Sequence, residues 1–358
     1  MRIVAATACV ALLALSGCPN STRNDSVTLA NKATEAYGKK QYETAIDMFT
    51  KSTDKWRENH KAWYGMAAAY SMKQDWTNAE KAASTAVQIA PEVAMYQLMY
   101  GKTLYKKIIA TARQEQADRE KKKPDQVEVD VSSLNFEKAL QHLQEAVKLN
   151  NDLWRAHMYI GLIYRDTGKY KEAAGELTKS LETAPTDPQP WVELAELYRH
   201  WDYTDQAIQV AEQGAAVVPG ENEKSDIWFE VGMGYDDKRL DDKAIDAFDK
   251  ALESRRDNHK AKFARGQAYF RKGDYTKAKR DLEEFSKSGG ASVEFFKQQA
   301  SRMLMDIAAK SAMPTGAGSG APPPGGGSPT TPGNKMSPED LVKKSQEQKG
   351  GGAKKKGK

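Results

Sequence analysis

The sequence of 358 residues has few of the side chains that most often build metal and redox sites. Its two cysteines, Cys9 and Cys18, are too few for a disulfide framework or for a zinc site with cysteine ligands. No two of its five histidines have the spacing of a metal-binding motif such as His-Glu-x-x-His. A phosphate-binding loop and a Ser/His/Asp arrangement on a nucleophile turn are missing as well. The sequence therefore predicts no metal, no cofactor and no enzyme activity.

An excess of positive charge is missing from most of the chain. Eight lysines but only three acidic residues lie beyond Ser311, and this excess equals the net charge of +5 of the whole sequence. The preceding body is therefore near neutral and gives no sign of a nucleic-acid surface. Long apolar runs are missing too, because after Leu15 none approaches the ~20 residues that span a bilayer.

The first residues look like a secretory leader. Met1 and Arg2 precede the apolar run Ile3–Leu15, which ends in Leu-Ser-Gly-Cys at Cys18. This tetrapeptide resembles a bacterial lipobox, which implies that residues 1–17 are removed and that Cys18 is acylated, for example with palmitate. An ordinary signal peptide with an incidental cysteine is the alternative. Pro19, in place of an aspartate, favours the outer membrane, with the protein lipid-anchored on its periplasmic side or at the cell surface.

A period of 34 residues dominates the rest of the sequence. Small residues recur at Ala33, Ala67, Gly101, Gly161, Ala195, Gly232 and Gly266. A large residue follows each of them three positions later, except in the first unit, where Ala36 takes that place. Their gaps are 34, 34, 60, 34, 37 and 34 residues. Alanines followed four later by an apolar residue recur with nearly the same gaps at Ala45, Ala79, Ala139, Ala173, Ala207, Ala244 and Ala278. Two markers with one spacing predict a tandem repeat.

Each unit has the pattern of a helix–turn–helix. One apolar stripe has the three- and four-residue spacing of a helix face, as in Trp191, Leu194, Ala195 and Tyr198. A second stripe follows in Ala207, Ala211 and Gly214, and Pro219 then ends the helix. Small residues are expected where two helices cross, because larger side chains would push the backbones apart. Such a unit buries its stripes only by stacking on its neighbours.

The units resemble tetratricopeptide repeats. The clearest copies contain Trp63, Ala67, Tyr70, Ala79 and Pro91; Gly161, Tyr164, Ala173 and Pro185; and Trp228, Gly232, Tyr235, Ala244 and Phe248. The resemblance implies an all-α fold, a right-handed superhelical solenoid of about seven repeats. We divide the chain into a leader 1–17, a tether 18–26, repeats 27–59, 60–93, 94–153, 154–187, 188–221, 225–258 and 259–290, a capping helix 291–311 and a tail 312–358. Lys262 and Arg265 occupy positions where the family usually has apolar residues. The sequence therefore leaves open how the first helix of the last repeat packs.

Two segments depart from the repeat. The gap of 60 in place of 34 gives the third unit 26 extra residues, around 113–133. We expect its first helix to continue to Lys123, Pro124 to break it, and Val127–Val131 to form a short strand. This insertion is either a binding element or a solvated elbow. The tail 312–358 is rich in glycine and proline, which predicts disorder. Its lysines are expected to contact anionic lipid or cell-wall polymer, or simply to keep the tail soluble.

In the family, the first helices line a concave groove that binds peptides or helices. The resemblance places eleven residues of this chain there: Tyr64, Met95, Tyr105, Met158, Arg165, Arg199, Phe229, Met233, Phe263, Phe270 and Arg271. About half of them are equally explained as packing between repeats. The asparagine and lysine clamp that some relatives use for a partner's terminal carboxylate is not matched here. An extended or helical apolar segment of another protein is the expected partner.

Together these features favour a scaffold or assembly factor in an outer-membrane machine. Repeat lipoproteins that this sequence resembles help to assemble type IV pilus secretins, outer-membrane barrels or gliding-motility complexes. The sequence does not distinguish among these functions. A cell-wall or surface tether that uses the lysine-rich tail is the second hypothesis. An accessory subunit of an enzyme is the third.

Overall fold

The computed structural model describes residues 19–288 and 291–312. Within these residues all regular structure is helical, with fifteen α-helices and two short 3-10 turns and no strand. The prediction of an all-α fold is therefore confirmed. The leader and the tail, with Cys18, lie outside the described residues.

The helices follow the predicted pairs. Their bounds are α1 Pro19–Gly38, α2 Tyr42–Lys55, α3 His60–Met72, α4 Trp76–Ile89, α5 Ala94–Glu120, α6 Glu137–Leu149, α7 Trp154–Asp166, α8 Tyr170–Thr183, α9 Pro188–His200, α10 Thr204–Val217, α11 Glu221–Asp237, α12 Asp241–Ser254, α13 His259–Lys272, α14 Tyr275–Lys287 and α15 Ala291–Ala312. The 3-10 turns Pro124–Gln126 and Val131–Ser133 lie between α5 and α6.

The chain divides into two compact units. The first comprises Met1–Ala112 and Ser133–Ala156, and in it α1 packs on α2 and α3, and α3 packs on α2 and α4. The second comprises Arg113–Ser132 and His157–Lys358. In the second unit each of the helices α8 to α15 packs on the next along the chain, and α11 also contacts both α9 and α13. The first helices of successive repeats are thus neighbours, as stacking requires.

The starts of several helices are fixed by side chains just before them. Asn59, Asp75, Asp187, Asn258 and Asp274 each accept a hydrogen bond from a backbone N–H two or three residues later, at 3.0–3.2 Å. These N-caps satisfy amides that have no partner within the helix, which contributes about 1 kcal/mol each. The repeat therefore marks its own helix boundaries in sequence.

The turn within a repeat has one residue in the left-handed region. Gly168 and Gly273 supply it with φ of 74° and 81°. Non-glycine residues take the same conformation in other repeats, with φ of 58–60°, at Lys40, Gln74, Asp202 and Arg239. Glycine adopts this region without the clash that a Cβ meets there. The turn is thus set by the position in the repeat, and glycine only makes it less costly.

Small residues lie where the two helices of a repeat cross, as predicted. A Cβ on Gly101 would lie 2.6 Å from Cγ of Leu143 and 3.0 Å from the carbonyl oxygen of Ala139. A Cβ on Gly161 would lie 2.8 Å from Cγ of Leu177. The alanines at the same position, such as Ala67, are fully buried. The 34-residue marker is therefore a close contact between paired helices.

The first helix begins earlier than the sequence indicated. Helix α1 starts at Pro19, so the segment 18–26 that we assigned to a tether is helical from its second residue. Ser26 is fully buried, and its hydroxyl donates to the carbonyl oxygen of Ser52 at 2.8 Å. Asn59 Nδ2 donates to the Ser26 hydroxyl at 3.0 Å. This network joins α1, the end of α2 and the N-cap of α3, which orders the start of the repeat.

The insertion has a different structure from the one predicted. Helix α5 does continue, but it ends at Glu120, where Lys121 has φ of 52°. The predicted strand Val127–Val131 is wrong, because residues 127–130 are irregular and a 3-10 turn begins at Val131. An isolated extended segment has no neighbour with which to form a ladder. Instead, the turn Pro124–Gln126 packs on α15 within the second unit.

The last repeat packs around charges that are paired. Arg265 Nε lies 2.6 Å from Asp281, whose side chain is 1% exposed, and its Nη1 lies 2.5 Å from Asp249. Lys262 lies 3.0 Å from Glu284. Burial disfavours the charge of Arg265, but the two aspartates outweigh it and raise the pKa of this guanidinium. The capping helix α15 then buries Ala300 and Ile307 against α13 and α14.

Candidate protein-binding groove

The second unit contains a cavity of about 700 Å³ between the first helices of three successive repeats. Helix α9 supplies seven of its lining residues, α11 and α13 four each, and α14 and α15 one each. The lining residues are Pro188, Gln189, Val192, Glu193, Glu196, Arg199, His200, Asp226, Phe229, Glu230, Met233, Lys260, Phe263, Ala264, Gln267, Phe285 and Phe296. Because these helices present one face of each repeat, the cavity is a groove across repeats.

The floor of this groove is aromatic. The ring centroid of Phe263 lies 4.9 Å from that of Phe285 and 5.3 Å from that of Phe296. Phe229, also partly buried, packs on Phe248 at 6.0 Å. Phe296 is 38% exposed although it is apolar. An apolar side chain of a ligand that covers these rings would remove their exposed surface from water. This burial favours binding by roughly 25 cal/mol of free energy per Å² of apolar surface.

Carboxylates of α9 lie beside the floor. Arg165 Nη1 is 3.1 Å from Glu193 and 3.3 Å from Glu196, and His200 Nε2 is 3.6 Å from Glu196. Burial opposes the charge of Glu196, but the hydrogen bond from His200 and the charges of Arg165 and Lys260 outweigh it. They lower the pKa of Glu196 to about 2. Glu196 therefore stays ionised at any physiological pH.

The pKa of Glu230 on α11 is shifted in the opposite direction, upward. Its side chain is 7% exposed and lies 2.8 Å from Nη1 of Arg199, whose Nε lies 2.8 Å from Asp237. Burial raises the pKa of Glu230 to about 7, with Glu196 adding to the effect and Arg199 opposing it. The groove thus contains one carboxyl group that is permanently ionised and one that titrates near neutrality.

A second, polar cavity of about 420 Å³ adjoins the first and shares Arg199 and His200 with it. Its other lining residues are Asp202, Thr204, Asp236, Asp237 and Arg239. Arg271 of α13 forms ion pairs with Asp236 and Asp241, but it does not line this cavity. The two cavities together form a continuous surface with an apolar part and an acidic part.

Four of the eleven residues predicted for the groove line the cavity: Arg199, Phe229, Met233 and Phe263. In the first unit Tyr64 stacks on Tyr96 at 5.1 Å, and Met95 is 41% exposed. Packing accounts for the buried residues Tyr105 and Met158 and for Phe270, whose ring lies 5.7 Å from Tyr275.

The sequence did not single out Glu196, Glu230, Lys260 and Phe296 as groove residues. On α9, Glu193, Glu196 and Arg199 follow one another at intervals of three, which is one face of a helix and was a signal in the sequence. Phe296 lies on the capping helix, and only the packing of α15 brings it to the groove. Its contribution could not be found from the repeat pattern.

Residues 19–288 and 291–312 were also searched for metal-binding clusters and membrane-spanning helices. No cluster of three or more metal-ligating side chains occurs there. None of the helices there combines the length and the apolar character that crossing a bilayer needs.

Comparison with known proteins agrees with this architecture. The tetratricopeptide repeat model matches residues 31–94, 125–188 and 242–283. A tetratricopeptide repeat protein from Parabacteroides merdae ATCC 43184 is similar in structure, with a TM-score of 0.55 and 12% identity over 80% of this chain and 99% of that one. PilW, a type IV pilus biogenesis factor, has a TM-score of 0.50 and 14% identity over 66% of this chain and 96% of that one.

The Cut9–Hcn1 tetramer of the APC/C contains a further similar chain, with a TM-score of 0.52 and 15% identity. The alignment covers 80% of this chain and 53% of that one, so this chain spans about half the length of that relative. No curated protein matched the sequence significantly. At these identities the likeness concerns the fold. The described part of the chain is therefore all-helical, three of its segments match the tetratricopeptide repeat model, and its groove lies on α9, α11 and α13.

Proposed function

We propose that this protein is a scaffold or assembly factor that binds a segment of another envelope protein in the groove of α9, α11 and α13. The open cavity of about 700 Å³ supports this most directly. Ligand-binding surfaces combine apolar area with a few placed polar groups, and the groove has both. Enzyme activity forms no part of this proposal.

We further propose that Cys18 is acylated and anchors the chain to the outer membrane, on the periplasmic side. The support is the sequence Leu-Ser-Gly-Cys after the apolar run that ends at Leu15. A pilus or secretin machine, a barrel-assembly machine or a gliding-motility complex is the setting proposed for it. The structural likeness to the pilus biogenesis factor PilW makes the first of these the natural one to test.

The binding function is tested by photo-crosslinking from the groove in the full-length protein in cells. A photo-reactive amino acid replaces Met233, which lines the cavity. The matched control replaces Gln213, which is exposed on α10 and does not line the cavity. A discrete adduct with another envelope protein from position 233, and none from position 213, is expected. Equal adducts from both positions, or none from either, would contradict groove binding.

The lipid anchor is tested with the two cysteines of the chain. Cys18→Ser is expected to lose metabolic labelling with a palmitate analogue and to leave the membrane fraction. Cys9→Ser is the control, since Cys9 lies in the proposed leader, and it should retain both properties. Retention of label by Cys18→Ser would refute acylation at this site.

A tether that grips cell-wall polymer is the second candidate, and the cluster of four lysines within residues 354–358 favours it. Removal of residues 313–358 with Cys18 intact separates the two functions. Loss of envelope association would indicate the tether. Retained association together with retained adducts at position 233 would indicate the scaffold.

A further inference from the structure

Four positions recur among the residues that line the cavity of the second unit. On each of α9, α11 and α13 they lie six, three and two residues before the small residue of the helix crossing and one residue after it. On α11 these are Asp226, Phe229, Glu230 and Met233. Equivalent positions of a repeat lie on the same side of equivalent helices. The twelve residues at these positions on α1, α3 and α5, counted from Ala33, Ala67 and Gly101, therefore form the corresponding surface, which we call the first-unit face.

The two surfaces carry opposite charge. At the twelve positions of the second unit the formal charge is −3, from Glu193, Glu196, Asp226, Glu230 and Lys260. The first-unit face has Lys61 and Lys102 and no acidic residue, so its formal charge is +2. Arg155 has the position of Lys61 in the next repeat and also belongs to the first unit. A ligand that matches the charge of one surface is therefore disfavoured at the other.

Side-chain contacts join the helices of the first-unit face. Helix α1 packs on α3. The ring centroid of Tyr64 on α3 lies 5.1 Å from that of Tyr96 on α5, and Nδ1 of His60 lies 2.7 Å from the Tyr96 hydroxyl. Burial raises the pKa of Tyr64, with Tyr37 adding to the effect and Arg155 opposing it. The guanidinium of Arg155 therefore acts on the same ring that joins α3 to α5.

Lys102 is a cation without an anionic partner on this face. Its side chain is partly buried, and its amine forms no hydrogen bond or ion pair with any described residue. Burial lowers the pKa of this ammonium group, and the nearby cations Lys106 and Arg155 lower it further. In the second unit, by contrast, Arg165 and Arg199 already pair with carboxylates of the cavity. A carboxylate at Lys102 would relieve the repulsion and supply the missing hydrogen-bond acceptor.

The position of these cations favours a segment of another protein as the source of the carboxylates. Because Lys102 is partly buried between helices, an inserted chain reaches it better than a flat membrane surface does. Tyr64 is partly exposed and Met95 is 41% exposed, and both residue types are enriched in protein interfaces. Lys61 and Lys102 lie on packed helices, whose axes are about 8–10 Å apart. Two side-chain carboxylates of one segment match this separation better than a single chain terminus.

We propose that the first-unit face binds an acidic segment of a partner protein, with side-chain carboxylates of the segment paired to Lys102 and Lys61 and its apolar side chains beside the ring of Tyr64. The proposed function concerns the cavity of the second unit, and this surface is an addition to it. The protein then has two binding surfaces that select partners of opposite charge.

The first test is a titration of the purified full-length protein with a fluorescent, end-blocked peptide of sequence Glu-Glu-Leu-Phe-Glu-Glu. The matched uncharged probe has glutamine in place of each glutamate. The acidic peptide is expected to bind about tenfold or more tightly, because hydrogen bonds between charged groups contribute more than neutral ones. Added salt should reduce the difference, since it screens charges that solvent reaches. Equal affinities at low salt would overturn the proposal.

The second test substitutes the cations of the full-length protein. Lys102→Met introduces the residue that α11 has at Met233, and it should weaken binding of the acidic peptide about tenfold. Its thermal unfolding should occur at the same or a higher temperature, because an unpaired, partly buried charge is removed. Lys61→Met, at an exposed position, should weaken binding about twofold to fivefold.

Lys81→Met is the matched control, because Lys81 is exposed on α4 outside the face and its substitution changes the net charge equally. It should retain the wild-type affinity. An equal loss of affinity in Lys81→Met and Lys102→Met would overturn the proposal, because it would show that only net charge matters. If Lys102→Met does not fold, Lys61→Met decides, and wild-type affinity of that variant would overturn the proposal.

The third test locates the bound peptide and separates the two possible sources of the anion. With a photo-reactive group on its phenylalanine, the acidic peptide should form adducts within residues 19–112 or 133–156, and Lys102→Met should lose them. Adducts confined to other residues would overturn the proposal. Weaker flotation of Lys102→Met than of the wild type with phosphatidylglycerol vesicles, without peptide binding, would overturn it in favour of a lipid phosphate. The adduct from position 233 reports only on the second unit, so its absence refutes the proposed function and leaves this face standing.

Discussion

Gly232 of α11 lies directly against the ring of Phe248 of α12. A Cβ on Gly232 would lie 2.4 Å from Cε1 and 2.5 Å from Cδ1 of that ring. Phe248 is fully buried and belongs to the core that joins α12 with α13. Since packed interiors have no room for a displaced aromatic ring, the two residues depend on each other.

Gly232→Ala is expected to destabilise the protein by about 1–3 kcal/mol, because the added methyl group overpacks the contact with Phe248. Denaturant unfolding measures the change. Gly175→Ala on α8 is the matched control, since nothing lies within 4 Å of its Cβ position. There the helix should gain roughly 0.5–1 kcal/mol. Equal effects of the two substitutions would contradict the crossing geometry.

Phe248→Leu combined with Gly232→Ala gives a second check on the same contact. The smaller leucine leaves space for the new methyl group, so the double variant should lose less than the sum of the single losses. A coupling energy of about 0.5–3 kcal/mol is typical of residues in contact. Strict additivity would indicate that the two side chains do not meet.

The buried network around Asn258 is expected to stabilise the sixth repeat. Asn258 Nδ2 donates to the hydroxyl of Ser225 at 2.9 Å, and that hydroxyl donates to the carbonyl oxygen of Ala251 at 2.7 Å. Asn258→Ala leaves buried polar groups without a partner and should cost about 1–3 kcal/mol. Asp274→Ala removes an exposed N-cap and should cost only about 1 kcal/mol.

The same network in the first repeat tests where the fold begins. Asn59 donates to Ser26, 33 residues before it, just as Asn258 donates to Ser225, and Asn59 also donates to the hydroxyl of Ser52. If α1 is ordered from Pro19, Asn59→Ala should cost as much as Asn258→Ala. A loss no larger than that of an exposed N-cap would return residues 19–26 to the role of a tether.

Glu230 is expected to give the protein an unusual dependence on pH. Burial raises the folded-state pKa of Glu230 to about 7, above its ordinary value of 4.5, against the attraction of Arg199. The folded state then retains the proton that the unfolded state has released, so stability falls as pH rises from 4.5 to 7. Glu230→Gln removes this slope and should gain about 1 kcal/mol or more between pH 5 and pH 8, relative to the wild type. Denaturant unfolding at pH 5 and at pH 8 measures the free energy of unfolding of both proteins. The same dependence on pH in the wild type and in the variant would contradict the raised pKa of Glu230.

Glu196 is expected to behave in the opposite way. Burial opposes its charge, but His200, Arg165 and Lys260 lower the folded-state pKa of Glu196 to about 2. Its stabilising effect is complete above pH 4.5 and is lost as pH falls toward 2. Glu196→Gln should therefore destabilise the protein at pH 7 and have little effect near pH 2. An effect that is independent of pH would show that its ion pairs contribute nothing.

Arg265 is expected to be essential for the last repeat as long as Asp281 is buried. Arg265→Ala leaves the buried carboxylate of Asp281 with only the longer contact to Arg280, at 3.6 Å, and the loss of its main cation should cost up to about 3–5 kcal/mol. The double variant Arg265→Ala, Asp281→Leu removes the charge and should recover much of this loss. Thermal unfolding compares the stability of the single and the double variant. A double variant as unstable as the single one would mean that the loss comes from the packing of Arg265 and not from the unpaired charge of Asp281.

Much of the fold was readable from the sequence because it repeats. The small residue at Gly161 and its equivalents predicted the helix crossings. The strand expected at Val127–Val131 failed because alternation describes a strand only where a neighbouring strand pairs with it. The early start of α1 was missed because Ser26 and Ser52 are polar, and hydrophobic periodicity does not register a buried hydrogen bond.

The groove was predictable only in part, for a geometric reason. Met158 and Met233 lie on corresponding first helices, yet Met158 is 1% exposed and Met233 lines the cavity. Which of the two faces open space depends on the neighbouring helices and on the side chains that they bring. A repeat pattern assigns both residues to the same face and cannot separate them.

The sequence by itself determined the element type, the helix pairs and their spacing, because these follow from local periodicity, N-caps and the small residues at each crossing. The tertiary structure alone decided which first-helix residues line a cavity, how the carboxyl groups of Glu196 and Glu230 differ in pKa, and that the turn Pro124–Gln126 packs on α15. Those properties depend on distances between residues far apart in the chain. Only the packed fold sets such distances.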